Sequence, residues 1–318
     1  MEYQLDKRTI IIDTDPGQDD AIALLFALAA ADRLEVRAIT VVAGNVPVDR
    51  AARNALVVRD WANRPEIPVH AGCPRPLVRD LTTAESVHGK SGLDGVHLHE
   101  PNAGLSTGHA VEFLINALRS SPERTVTLCL IGPSTNFAAA VIQAPDVARR
   151  IREIVMMAGC YFTRGNVTPV AEFNVYIDPH AANLVFQSGI PLTVLPLDVT
   201  HKALTTPARI EKLRKLGNRC GSMIAQILAS YERHDIEKFG LDGGPLHDPC
   251  VIGYLLDPSL FVGRRVNVVV ETQSELTLGE TVVDWNAVTR RAMNAFWIND
   301  IDADGFYSLL TKTVARLP

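Results

Sequence analysis

Short apolar runs rich in β-branched residues alternate with stretches whose apolar positions recur at helical spacing. Residues 9–12 form the first such run and 36–42 the second. Between them, residues 19–31 read as a helix that is apolar on nearly every face. In 48–60 the apolar residues Val48, Ala51, Ala52, Ala55 and Leu56 share one face, the period of an amphipathic helix. Strands are expected at 67–70, 126–131, 151–158 and 192–195, with helices at 108–118, 136–143 and 179–187. Near-continuous apolar strands separated by helices predict an α/β fold, with a mostly parallel central sheet flanked by helices.

After Asp198 the pattern changes. Helices are expected at 207–216 and 219–238, followed by a Gly-rich stretch, 240–245. An antiparallel pair at 264–272 and 275–283, a run at 292–298 and a helix at 301–315 complete a C-terminal antiparallel extension. No repeat or Ser/Pro-rich linker divides the chain, so residues 1–318 read as a single domain. Residues 72–106 form a long segment with little periodicity. Loops beyond about 12–15 residues are commonly functional. This one carries His88, His97 and His99, with His109 just beyond, and reads as part of an active site.

Composition narrows the classes. Lys and Arg total 31 against 36 Asp and Glu, a net charge of −5. That balance disfavours a nucleic-acid or membrane-surface binder, which needs a basic face. The longest apolar run, 21–31, lies between Asp20 and Asp32 and falls short of the ~20 residues of a membrane helix. Glu2 and Asp6 ahead of a short apolar stretch do not make a signal peptide. Five scattered cysteines without a CxxC pair read as reduced core thiols of a cytoplasmic protein.

The chemistry concentrates after the first strand. In the stretch Asp13-Thr14-Asp15-Pro16-Gly17-Gln18-Asp19-Asp20, four carboxylates fall within eight residues at a strand's carboxyl end. Open α/β sheets bind ligands there. Like charges this close repel, and a bound cation relieves the repulsion. A set of hard oxygen ligands favours Ca²⁺ or Mg²⁺ over Zn²⁺. An EF-hand fits poorly: counting from Asp13, Gln18 and Leu24 stand where Gly and Glu are wanted. A haloacid-dehalogenase-type phosphatase, with Asp13 as nucleophile in an Asp-x-Asp motif, competes on this stretch alone.

Further stretches resolve the competition. Val41-Val42-Ala43-Gly44-Asn45, Ala171-Glu172-Phe173-Asn174 and His247-Asp248-Pro249-Cys250 follow the Asp-rich motif in order. Gly132-Pro133-Ser134-Thr135-Asn136 and Met157-Ala158-Gly159 join them. The ordered set resembles the inosine–uridine-preferring nucleoside hydrolase family over nearly the whole chain. The resemblance implies Ca²⁺-dependent hydrolysis of the N-glycosidic bond of ribonucleosides. It places Ca²⁺ on Asp15, Asp20, Asp248 and the carbonyl of Ile131, with Asp15 also accepting a proton from water.

By the same resemblance Asp19 and Asn174 grip the ribose 2′- and 3′-hydroxyls, Asn166 and Glu172 reach the 5′-hydroxyl, and Asn45 lies near the attacked carbon. Met157 and Phe173 line the ribose pocket. His247 and His88 stand beside the base as leaving-group acids, and Tyr231 contacts the base. Asp235 stands where a second base contact is expected, which leaves purine against pyrimidine open. Relatives form dimers or tetramers, so a homo-oligomer is implied. A catalytically silent nucleoside- or ribose-binding protein is the remaining alternative, although none of the implied groups is missing.

Overall fold

Ile10, Ile11 and Ile12 explain why the first strand is central. Side chains alternate across a strand, and here Ile10 and Ile12 enter one hydrophobic core while Ile11 enters the other. All three are fully buried, each worth roughly 1.5–3 kcal/mol of burial. This computed structural model describes residues 7–239 and 243–318, of 231–239 the backbone alone.

In chain order the first half contains β1 (Arg8–Thr14), α1 (Gln18–Ala29), β2 (Leu34–Val41), α2 (Val48–Trp61) and β3 (Val69–Ala71). It continues with α3 (Glu85–His88), α4 (Ala110–Arg119), β4 (Val126–Leu130), α5 (Thr135–Gln143) and β5 (Ile151–Met157). Then come α6 (Phe173–Ile177), α7 (Pro179–Gln187), β6 (Leu192–Leu195), α8 (Leu197–Thr200), β7 (Leu204–Thr205) and α9 (Pro207–Arg214). The last part holds α10 (Arg219–Phe239), β8 (Gly244–Pro245), α11 (Pro249–Leu256), β9 (Phe261–Val270), β10 (Thr281–Asp284), β11 (Ala295–Ile301) and α12 (Ala303–Val314).

Among the described residues, nine strands form one sheet in the order β10-β9-β11-β6-β5-β4-β1-β2-β3. From β3 through β6 to β11 every neighbouring pair is parallel. β9 runs antiparallel to both β11 and β10. The expected C-terminal antiparallel extension is therefore present, and it continues the main sheet. One core packs α1, α2, α10, α11 and α12 on one face; the other packs α4, α5 and α7. α1 is buried all round, as its unbroken apolar run requires.

The chain order departs from the spatial order at β1, which lies between β2 and β4. A ligand crevice opens outside the carboxyl ends of strands at such a switch point. The Asp-rich motif follows β1 into this crevice, and the Ile131-Gly132 turn follows β4.

Candidate active site

Pro16-Gly17 ends β1 and starts α1. The Asp20 carboxylate folds back over that turn. It accepts from the backbone N–H of Gly17 (3.0 Å) and of Asp15 (3.3 Å), from the Thr14 hydroxyl, and from Asn45 Nδ2 (3.1 Å). It thus satisfies orphan donors at the positive end of α1. The Asn45 backbone N–H donates to Asp15 Oδ2 (2.7 Å), and its Nδ2 also donates to the Asp15 carbonyl (3.2 Å). Asn45 therefore holds both acidic side chains. Asp15 is wedged between two glycines: a Cβ on Gly44 would lie 2.1 Å from Oδ2, and one on Gly132 would lie 2.5 Å from Oδ1. No other residue fits at either position without displacing Asp15.

Across the crevice Asp248 precedes α11. Carboxylate oxygens of Asp19, Asp20 and Asp248 all lie within 4.8 Å of one another, and all three residues are buried. Burial and mutual repulsion hold the Asp15 and Asp248 carboxyls well above the usual range and push Asp20 up to about 6. Among the described residues, Asp15 Oδ1 is buried with no hydrogen-bond partner. An unpartnered acceptor beside three crowded carboxylates, all hard oxygen donors, is the arrangement that suits a divalent cation such as Ca²⁺. Asp19 belongs to this trio as closely as Asp20 and Asp248 do, an assignment absent from the sequence reading. The Ile131 carbonyl accepts from Asn174 Nδ2 (3.0 Å), which leaves its second lone pair.

The cleft above these groups has a volume of about 290 Å³. Asp19, Asn45, His88, Ile131, Met157, Asn166, Glu172, Phe173, Asn174, His247 and Asp248 all line it. Asp15 and Asp20 lie behind that lining, fully buried. The side chain of Tyr231 lies outside the described residues.

One wall is built by α6. Glu172 is its N-cap: Oε1 accepts from the Asn174 N–H (2.8 Å), and Oε2 accepts from the N–H groups of Gly159 (2.9 Å) and Val175 (3.2 Å). Burial pushes this carboxyl up to about 7 while the three donors pull it down. Asn174 Nδ2 also donates to the Met157 carbonyl (3.1 Å), and Asn166 Oδ1 accepts from the Phe173 N–H (2.9 Å). Each amide is thereby fixed by backbone before any ligand arrives.

The opposite end carries the histidines. His88 ends α3, and its Nδ1 accepts from the Gln18 N–H (3.4 Å). His247 Nδ1 is hydrogen-bonded to Thr200 Oγ1 (2.8 Å), and the His201 ring centroid is 5.7 Å from that of His247. Burial drives His247 well below the ordinary imidazole range and His201 down to about 4. Both are therefore neutral at pH 7. Expecting His247 to act as an acid because imidazole titrates near 6.5 leaves this burial out.

Sequence reasoning did not single out Thr82, Thr83, Ser86, Val87 and Val167, which line the cleft, or Thr200 and His201. Hydroxyl residues in a non-periodic loop carry no spacing signal. Thr200 and His201 close a four-residue helix, too short to show a period. Of the histidines in and just after the long loop, His109 caps α4 and His99 faces Asp60 at 3.5 Å.

Asp13 does not line the cleft. Its Oδ1 accepts from Thr40 (3.0 Å) and Asn136 (2.8 Å). A nucleophilic role for Asp13, on which the phosphatase reading depended, has no geometry to support it.

A crevice at the carboxyl ends of β1, β4 and β5, with acidic groups below and amides and hydroxyls around it, has the chemistry to suit a polyhydroxylated ligand. The model of the family described as inosine-uridine preferring nucleoside hydrolase matches residues 10–308, and the chain belongs to this family. It is a ribonucleoside hydrolase, an N-glycosidase, which sets aside both the phosphatase and the silent binding protein.

An uncharacterized protein of Schizosaccharomyces pombe is 49% identical over 97% of this chain and 99% of its own length. The pyrimidine-specific ribonucleoside hydrolase RihA of Klebsiella pneumoniae is 46% identical over 96% of this chain and 98% of its own. The solved purine-preferring ribonucleoside hydrolase of Gardnerella vaginalis superposes with a TM-score of 0.89 at 28% identity. It covers 96% of this chain and 98% of that one. Among the described residues no helix is long and apolar enough to cross a membrane.

Proposed function

We propose that the enzyme cleaves the N-glycosidic bond of ribonucleosides to ribose and free base in a Ca²⁺-dependent reaction, with pyrimidine ribosides preferred. The observation that carries the metal is the unpartnered, buried Oδ1 of Asp15 beside the Asp19–Asp20–Asp248 cluster. Asp15, Asp20, Asp248 and the Ile131 carbonyl would hold the ion, with Asp19 within reach. When bound, Ca²⁺ would lower the pKa of a coordinated water and balance the cluster's charge. The pyrimidine preference rests on the 46% identity to a relative named pyrimidine-specific.

The residues around the sugar fit the chemistry. Breaking the bond from C1′ to the base nitrogen builds positive charge on the ribose, as in glycoside hydrolysis. Asp15 accepts the proton of the attacking water. Asp19 and Asn174 hold the ribose 2′- and 3′-hydroxyls, Asn166 and Glu172 reach the 5′-hydroxyl, and Met157 and Phe173 close around the ring. The nearby carboxylates stabilise the developing cation, and Asn45 keeps Asp15 aimed at the attacked carbon. His247, His88 and Tyr231 are assigned to the departing base. Fixed amides and carboxylates convert hydroxyl binding into orientation of the sugar. The free thiols of all five cysteines support a cytoplasmic location, and a homo-oligomer is the assembly proposed.

The test is release of reducing sugar from uridine, cytidine and inosine, before and after chelation. Turnover of all three with uridine or cytidine fastest, lost with chelator and regained with Ca²⁺, is the expected result. Full activity in a metal-free preparation would remove the metal from the proposal, and inosine as the fastest substrate would remove the base preference.

A further inference from the structure

α8 is a single helical turn, Leu197–Thr200, that packs against β6 and β11. Its last residue, Thr200, is fully buried. A threonine hydroxyl has one proton and two lone pairs. Among the described residues the Thr200 hydroxyl has a single partner, His247 Nδ1 at 2.8 Å. A buried O–H proton left without an acceptor costs about as much as a lost hydrogen bond. The hydroxyl therefore donates, and Nδ1 accepts. A neutral imidazole carries one proton, so that proton sits on Nε2. His247 itself lines the cleft.

We infer that Thr200 is a positioning residue that fixes His247 in the Nε2–H tautomer, so that the ring presents a hydrogen-bond donor, not an acceptor, to the departing base. This rests on the hydrolase reading above for its consequence, but not for the tautomer itself. The other tautomer would turn a lone pair toward negative charge growing on the base and repel it. The role asked of the imidazole is donation of a hydrogen bond from Nε2–H; no proton needs to leave the ring. An electron-poor leaving group such as p-nitrophenolate needs no such donor. Thr200 thus acts only on substrates whose base must be stabilised.

The experiment compares wild type with Thr200→Val, which keeps the shape and removes the hydroxyl, and Thr200→Ser, which restores it. With ¹⁵N-labelled histidine, the His247 signals are identified by their loss in His247→Gln. Wild type should show a protonated-type Nε2 and a bare-type Nδ1, and Thr200→Val should show the two nitrogens partly exchanged. Turnover of uridine should fall about tenfold in Thr200→Val, p-nitrophenyl riboside should stay within twofold, and Thr200→Ser should recover most of the loss. In a His247→Ala background, Thr200→Val should add nothing.

A proton on Nδ1 in wild type overturns the inference, and so does an equal loss on both substrates. If wild type hydrolyses neither riboside, the hydrolase reading fails while the nitrogen signals still decide the tautomer.

Discussion

Asp15 is fixed from three sides, and each constraint has a separate cause. Gly44 and Gly132 admit it because neither has a Cβ, and the Asn45 N–H takes one oxygen while the other stays bare. Asp15→Asn keeps the volume but removes the proposed proton acceptor. Loss of general-base function costs on the order of 10²–10⁴ in rate, so kcat for uridine should fall within that range or beyond it. A variant within tenfold of wild type, with Ca²⁺ binding intact by calorimetry, would show that another group takes the proton. Glu172 combines two roles. Both its oxygens are committed to backbone N–H groups, so Glu172→Gln leaves at least one buried donor facing an amide NH₂. That should cost about 1–3 kcal/mol, read as a lower urea midpoint, in addition to any rise in KM.

At the level of elements, the sequence was legible wherever burial alone dictates structure. Pro179–Gln187 and Leu192–Leu195 have the bounds that their patterns imply, and the isoleucines of β1 mark a strand buried on both faces. Elements organised by hydrogen bonds were harder to read. α6 and α8 are single turns, held by Glu172 and by the Pro196 carbonyl respectively, and too short to show a period. α11 went unmarked because Pro249–Leu256 is apolar on almost every face. The acidic motif was legible as a chemical cluster, but its partition was not: only the fold reveals that Asp13 is turned away and that Asp19 joins Asp20 and Asp248.

Asn136 illustrates what joins the elements. Its Nδ2 donates to Asp13 Oδ1 (2.8 Å) and the Val41 carbonyl (3.0 Å), and its Oδ1 accepts from the Cys73 N–H (2.8 Å). It ties β1, β2 and the chain after β3 at the edge of the crevice. Asn136→Ala should cost about 1–3 kcal/mol for each buried partner left bare. The urea midpoint should drop with an unchanged m-value; a change within a few tenths of a kcal/mol would mean water replaces the amide.

For the whole molecule, the buried charges couple stability to pH and to metal. Burial raises the carboxyls of Asp13 and Glu172 to about 7 and Asp20 to about 6, and it holds Asp15 and Asp248 higher than usual. A group whose pKa is raised by folding binds more protons in the folded chain, so its contribution is present at low pH and lost as pH rises. His201 and His247 have the opposite sign. Their pKa values are lowered by folding, so they weaken the fold as pH drops below about 6.5. Above that value the histidine contribution fades as the unfolded chain sheds its imidazolium protons, and the carboxylates dominate.

The chelated protein should therefore lose stability between pH 6.5 and pH 8. Bound Ca²⁺ favours the ionised carboxylates and competes with their protons. The stabilisation added by a fixed Ca²⁺ concentration should accordingly grow over the same interval. Thermal midpoints at the two pH values, with chelator and with Ca²⁺, measure both effects. A chelated midpoint that is flat across the interval would show that these carboxyls do not change protonation there. A Ca²⁺ increment independent of pH would show that the ion does not compete with protons on this cluster, and would place its binding elsewhere on the molecule.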